Sequence, residues 1–142
     1  MGWLNKLFRH HPQKHLTNSN SGKTFEEKYQ DLGAFQYDAA GFTITYEDFR
    51  KHLRWDEITQ INVYKVDKLT VDEISMDIVY GDVYFSLNEE LPGWYQFVLK
   101  TKEIFPTIPK DWDTAIIQPP FATNFRTIYE RNPDDAPESS KT

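Results

Sequence analysis

The stretch Asp72–Phe105, DEISMDIVYGDVYFSLNEELPGWYQFVLKTKEIF, decides the fold. Ile74, Met76, Ile78 and Tyr80 alternate with Glu73, Ser75, Asp77 and Val79, the period-2 pattern of a half-buried strand. Gly81-Asp82 then fits a two-residue hairpin turn, since Gly at the first central position supplies φ > 0. That loop sets Tyr80 opposite Val83, Ile78 opposite Phe85 and Met76 opposite Leu87, so these six and Ile74 share one face. A slip of one residue would turn half of them into water. After Leu87 the period becomes helical, with Leu91, Trp94, Phe97, Val98, Ile104 and Phe105 on a broad stripe. The spacing predicts a helix with Asn88 as its cap, Glu89-Glu90 at the positive end of its dipole and Pro92 in its first turn. Its stripe must lie on the apolar face of the sheet.

Upstream, Thr24–Asp31 reads as a short helical lead-in, followed by strands. Phe35 and Tyr37 alternate, Asp38-Ala39-Ala40-Gly41 turns the chain, and Phe42, Ile44 and Tyr46 alternate against Thr43 and Thr45. Glu47-Asp48 turns into Phe49, Leu53 and Trp55. Ile58–Val66 is the next strand, with Ile61 and Val63 on one face and Asn62, Tyr64 and Val66 on the other. Six strands joined by short turns favour curling into a barrel or two orthogonal layers. Downstream, Pro109, Pro119 and Pro120 forbid a long helix, yet Trp112, Ile116, Ile117, Phe121, Phe125, Ile128 and Tyr129 are too apolar for a free tail. Pro106–Arg131 is therefore expected to wrap over the sheets, with a helical turn near Asn124–Glu130. Asn132–Thr142 has no hydrophobic residue larger than alanine and reads as a disordered tail.

At 142 residues the chain is one domain plus tails, long enough for a substantial core. Its absence of cysteine rules out disulfides and cysteine-ligated zinc and fits a reducing compartment. No run approaches the roughly 20 apolar residues of a membrane span, and the N-terminal apolar cluster is too short for a signal peptide. Charge is unevenly placed. Residues 1–25 carry Lys6, Arg9, Lys14 and Lys23 without an acid, so the other 12 basic side chains face all 22 acidic ones. An acidic body of −10 argues against nucleic acid, whose binding needs a basic face.

Three units follow: residues 1–23, a basic amphipathic segment and polar linker; residues 24–131, the folded domain with its C-terminal wrap; and residues 132–142, the tail. Within the first, Trp3, Leu4, Leu7 and Phe8 share one face flanked by Lys6 and Arg9, and Pro12 ends the pattern. Such a short stripe needs a surface to lie on: the body, a partner chain or a lipid interface. Met1-Gly2 invites a myristoylation reading, but Lys6 stands where that motif wants Ser or Thr. Gly22-Lys23-Thr24 resembles the end of a phosphate-binding loop, but Thr17 occupies the place of its first glycine.

Short-turn strands, the Trp55-Asp56-Glu57-Ile58 strand opening and one C-terminal amphipathic helix together resemble the pleckstrin-homology-like superfold, nearest its bacterial and GRAM-type versions. The resemblance covers about residues 33–105. The run Gln118–Asn124, QPPFATN, is similar to one in small bacterial proteins without an assigned activity. The implied class is α+β, mainly β: a curled antiparallel sheet or barrel of about six to seven strands, capped by one amphipathic helix, with an extended C-terminal segment packed on it. That superfold hosts head-group binders, peptide binders and scaffolds, and does not choose among them.

The chemistry-bearing residues are sparse. His10, His11 and His15 cluster without a nearby carboxylate and read as solvated basic residues rather than metal ligands. Arg50, His52 and Arg54 share one strand face and could contact an anion, but Glu47, Asp48, Asp56 and Glu57 flank them and favour pairing. No Ser-centred glycine elbow appears, and His52 is the one histidine within the folded body. The acid pairs Asp72-Glu73, Glu89-Glu90 and Asp134-Asp135 are sequence neighbours, which point to different sides of an element. Asp111 and Asp113 lack the glycine and third ligand of a calcium loop. The expectation is a non-enzymatic, cytoplasmic protein-binding module with neither metal nor cofactor, in one version an inhibitor or immunity-type protein covering a cationic partner. The alternative is a peripheral membrane protein held by Trp3, Leu4, Leu7 and Phe8. The oligomeric state is not legible.

Overall fold

In the computed structural model, which describes residues 24–118 and 124–132, the Gly81-Asp82 hairpin has the register its alternation requires. Tyr80 pairs with Val83, Ile78 with Phe85 and Met76 with Leu87. Gly81 takes φ +61°, the positive value demanded at the first central position. Ile74, Met76, Ile78, Phe85 and Leu87 are buried together.

In chain order the elements are α1 (Phe25–Gln30), β1 (Phe35–Tyr37), β2 (Gly41–Tyr46), β3 (Phe49–Arg54), a 3-10 turn (Trp55–Glu57), β4 (Ile58–Asp67), β5 (Asp72–Tyr80), β6 (Val83–Asn88), α2 (Trp94–Ile104), α3 (Trp112–Ala115) and β7 (Asn124–Glu130). The protein is α+β and mainly β. Its strands form two antiparallel sheets, ordered β1-β2-β3 and β6-β5-β4-β7, so the barrel alternative gives way to two layers. The reason lies at Trp55–Glu57. There the chain leaves the first sheet through the 3-10 turn, whose start is held by Arg54 N–H donating to a Glu57 carboxylate oxygen at 2.8 Å. Trp55 is buried in that corner against Phe42, 4.9 Å between ring centroids.

Helix α2 joins the two layers. Phe97 stacks on Phe35 of the first sheet at 4.4 Å, and Phe105, just past the helix, meets Tyr129 of β7 at 4.3 Å. The buried stripe is Trp94, Phe97, Val98 and Thr101. Burying rings of this size contributes roughly 2–3 kcal/mol each.

Three expectations need correction. Helix α2 begins at Trp94 with Gly93 as its cap, not at Asn88. Glu89 extends the β5–β6 ladder instead: its N–H donates to Ile74 O at 3.0 Å and its carboxylate accepts from Ile74 N–H at 2.9 Å. Asn124–Glu130 is strand β7 on the free edge of β4 rather than a helical turn, and it follows α2. The small helix α3, which buries Trp112, was not anticipated. The lead-in helix α1 does form, with Thr24 Oγ1 accepting from Glu27 N–H. The N-terminal segment, the Pro119–Thr123 part of the wrap and the tail from Pro133 onward lie outside the described residues.

Candidate functional site

Strand pairing builds one extended surface from residues far apart in sequence. On the outer face of the four-stranded sheet, register sets three rows: Tyr84-Val79-Gln60-Glu130, Ser86-Asp77-Asn62-Thr127 and Asn88-Ser75-Tyr64-Phe125. Helices α2 and α3 bury their apolar side chains in the core on the opposite side. Helix α1 rests on α2 through Gln96, whose side-chain amide donates to Tyr29 O at 2.7 Å.

The middle of this face is fixed by hydrogen bonds. Asp77 accepts from Ser86 Oγ at 2.6 Å and from the Tyr64 hydroxyl at 3.0 Å. Asn62 Oδ1 accepts from Thr127 Oγ1 and from Gln60 Nε2, both at 2.8 Å. A face so linked presents its groups without first having to order them. At its β7 border Phe125 is 62% exposed, with its ring 6.1 Å from that of Tyr64 and nearly parallel. The acidic residues in the three rows are Asp77 and Glu130; no lysine or arginine stands among them.

The residues expected to contact an anion lie on the other sheet. Arg50, His52 and Arg54 do share the exposed face of β3, while Phe49 and Leu53 are buried on its other side. His52 Nε2 lies 2.9 Å from Asp38 Oδ2, and Arg54 meets Asp56 at 2.7 and 3.1 Å. Those carboxylates are the local counter-charges. The His52 hydrogen bond, then the Ala40 N–H, hold Asp38 below the usual carboxylate range. Asp38 also caps the β1–β2 turn by accepting from the N–H groups of Ala40 and Gly41 at 2.8 Å. Among the described residues no group of three or more His, Asp or Glu could hold a metal ion. Trp3, Leu4, Leu7 and Phe8 lie outside the described residues, as do His10, His11 and His15.

Sequence reasoning missed Lys65. Its side chain is fully buried, with the ammonium 3.4 Å from Asp72 Oδ2 and donating to Ile117 O at 3.1 Å. It thereby ties the chain after α3 to the sheet. The signal was present: Lys65 has the strand parity of Ile61 and Val63, which places it on the core face. A buried ammonium needs such partners, because leaving it unpaired costs several kcal/mol.

No family model matches this chain, and neither a curated protein nor a solved structure matches it.

Proposed function

We propose that this protein is a non-enzymatic binding module of the pleckstrin-homology-like class, and that it meets a basic protein partner with the outer face of its four-stranded sheet. The single observation that carries the reading is Phe125. A large ring held 62% exposed on a strand, stacked on Tyr64 and beside a hydrogen-bonded row containing Asp77, has the make-up of an interface anchor. The carboxylates of Asp77 and Glu130 favour a cationic surface opposite, in keeping with an inhibitor or immunity-type role. Two antiparallel sheets closed by an amphipathic helix support the class assignment, although β7 follows that helix where the resemblance implies a C-terminal helix.

The test is capture from a lysate on the intact chain and on Phe125→Arg, an exposed substitution expected to leave melting unchanged. The expected result is a basic protein retained by the first and lost by the second. Identical capture by both chains, or retention of acidic proteins alone, overturns the reading.

A further inference from the structure

The turn between β4 and β5 holds a leucine where a glycine would be at ease. Lys68 N–H donates to Val71 O at 2.9 Å, which leaves Leu69-Thr70 as a two-residue loop between them. Leu69 stands at the first central position of that loop, the place Gly81 fills in the β5–β6 hairpin. Both take positive φ, +69° at Leu69 and +61° at Gly81. Thr70 N–H also donates to Lys68 O at 2.7 Å, closing a three-residue γ-turn whose positive-φ form is rare and strained. A bulky side chain carries a cost in this region that glycine does not. Burial does not offset it: Leu69 is 93% exposed, and Val71 beside it is exposed as well. Nor is the turn loose. Asp67 Oδ1 accepts from Leu69 N–H at 3.0 Å, and Lys68 Nζ lies 2.9 Å from Glu73 Oε1 across the hairpin. Strain that a fold maintains around an exposed side chain clusters at segments that contact a ligand.

We propose that Leu69 is a second anchor of the partner-binding surface, a projecting aliphatic side chain that fills an apolar pocket on the same basic protein. This anchor rests on the partner-binding reading of the sheet face and deepens it. Continuity with that face supports it. Val66 has the strand parity of Tyr64, and Val71 that of Ser75 and Asp77, so the outer face runs on into the turn. Its apolar line passes from Phe125 and Tyr64 through half-buried Val66 to Val71 and Leu69. Charge favours the same partner. Around the turn three acidic residues, Asp67, Asp72 and Glu73, stand against two lysines, Lys65 and Lys68, and Asp67 is the exposed acid among them. An apolar tip with an acidic rim suits a hollow with a cationic rim, as Asp77 and Glu130 suit a cationic surface. A turn already fixed by hydrogen bonds also loses little conformational freedom on entering such a hollow.

Leu69→Asn and Leu69→Met on the full-length chain test this, with Phe125→Arg alongside. Asparagine tolerates positive φ but cannot fill an apolar pocket, whereas methionine keeps an adaptable apolar side chain. The probe is the basic protein retained by the intact chain, identified and purified, and its binding to each immobilised chain is followed by surface plasmon resonance. Leu69→Asn should raise the urea midpoint by relieving the turn, and yet weaken binding on the order of tenfold or more, mainly through faster dissociation. Leu69→Met should keep most of the affinity. The chain has no cysteine, so Thr70→Cys carries a single benzophenone, which should cross-link to an apolar segment of the partner. Full affinity in Leu69→Asn, or no cross-link, while Phe125→Arg abolishes binding, overturns the second anchor and leaves the sheet face standing. A lowered urea midpoint in Leu69→Asn also overturns it, since the side chain would then serve the fold. So does Leu69-dependent sedimentation with phosphatidylglycerol vesicles, or Leu69-dependent dimerisation, which would give the tip to lipid or to a second copy. An intact chain that retains no basic protein removes both readings together.

Discussion

Ile78 and Val79 are neighbours in β5 and face opposite sides of the sheet. Ile78 is fully buried opposite Phe85, whereas Val79 stands half-buried on the outer face between Gln60 and Tyr84. Ile78→Asp places a carboxylate where nothing can pair with it, at a cost on the order of several kcal/mol. Val79→Asp leaves its charge within reach of water and should cost much less. Equal losses of melting temperature would contradict a hairpin with one buried face. Glu89 supplies a second residue-scale expectation. Burial, with Glu73 and Glu90 nearby, raises its pKa above 4.5, and the Ile74 N–H only partly offsets this. A carboxyl whose folded pKa is raised contributes stability below its unfolded pKa and loses it as pH rises through the folded value. Wild-type melting should therefore fall, relative to Glu89→Gln, as the pH rises above 4.5. The glutamine keeps an oxygen for Ile74 N–H but cannot ionise. Parallel pH curves for the two chains would show that Glu89 is not responsible.

The hairpin was legible because two residue types fix a two-residue turn and alternation fixes its register. Helix α2 was legible in its buried stripe but not in its start, and the reason is a crossing of chains. A Cβ at Gly33 would lie 2.0 Å from Pro92 C, and one at Gly93 would lie 2.2 Å from Leu32 O. The segment after α1 thus passes directly over the start of α2, and Ala34 N–H donates to Pro92 O at 2.9 Å. No local pattern shows which two glycines meet. Gly81 makes the control, since it also has positive φ but nothing stands within 4 Å of its would-be Cβ. Gly81→Ala should cost only the left-handed backbone penalty of about 1–2 kcal/mol. Gly93→Ala must in addition push two backbones apart, so urea unfolding should show a clearly larger loss. Similar losses would mean the crossing can relax. Strand β7 failed for another reason. Phe125, Ile128 and Tyr129 fall at i, i+3 and i+4, which is helical spacing, but Thr127 and Ile128 are β-branched and the open edge of β4 decides the outcome. With β7 misplaced, the stacking of Phe125 on Tyr64 could not be read either. The Arg50, His52 and Arg54 face could, because it needs only the parity of one strand, whereas Asp38, the partner of His52, is 14 residues away.

At the scale of the molecule, residues 24–132 carry 19 acidic and 11 basic side chains, a net −8. On the proposed reading such a field would act mainly on encounter, drawing a cationic partner inward before any contact forms. On the same reading the apolar anchor Phe125 would govern how long a seated partner stays. The two contributions should therefore separate kinetically with the basic protein captured on the intact chain. Glu130→Lys reverses an exposed charge at the border of the sheet face and should slow association severalfold with little change in dissociation. Phe125→Ala removes the anchor and should speed dissociation with little change in association. Raising salt from about 0.05 to about 0.5 M shortens the screening length from roughly 14 to roughly 4 Å and should reproduce the first effect but not the second. Stopped-flow measurement of both rates decides it. If Glu130→Lys acted through dissociation alone, the carboxylate would be a contact rather than a guide. If association proved insensitive to salt, the acidic body would play no part in finding the partner.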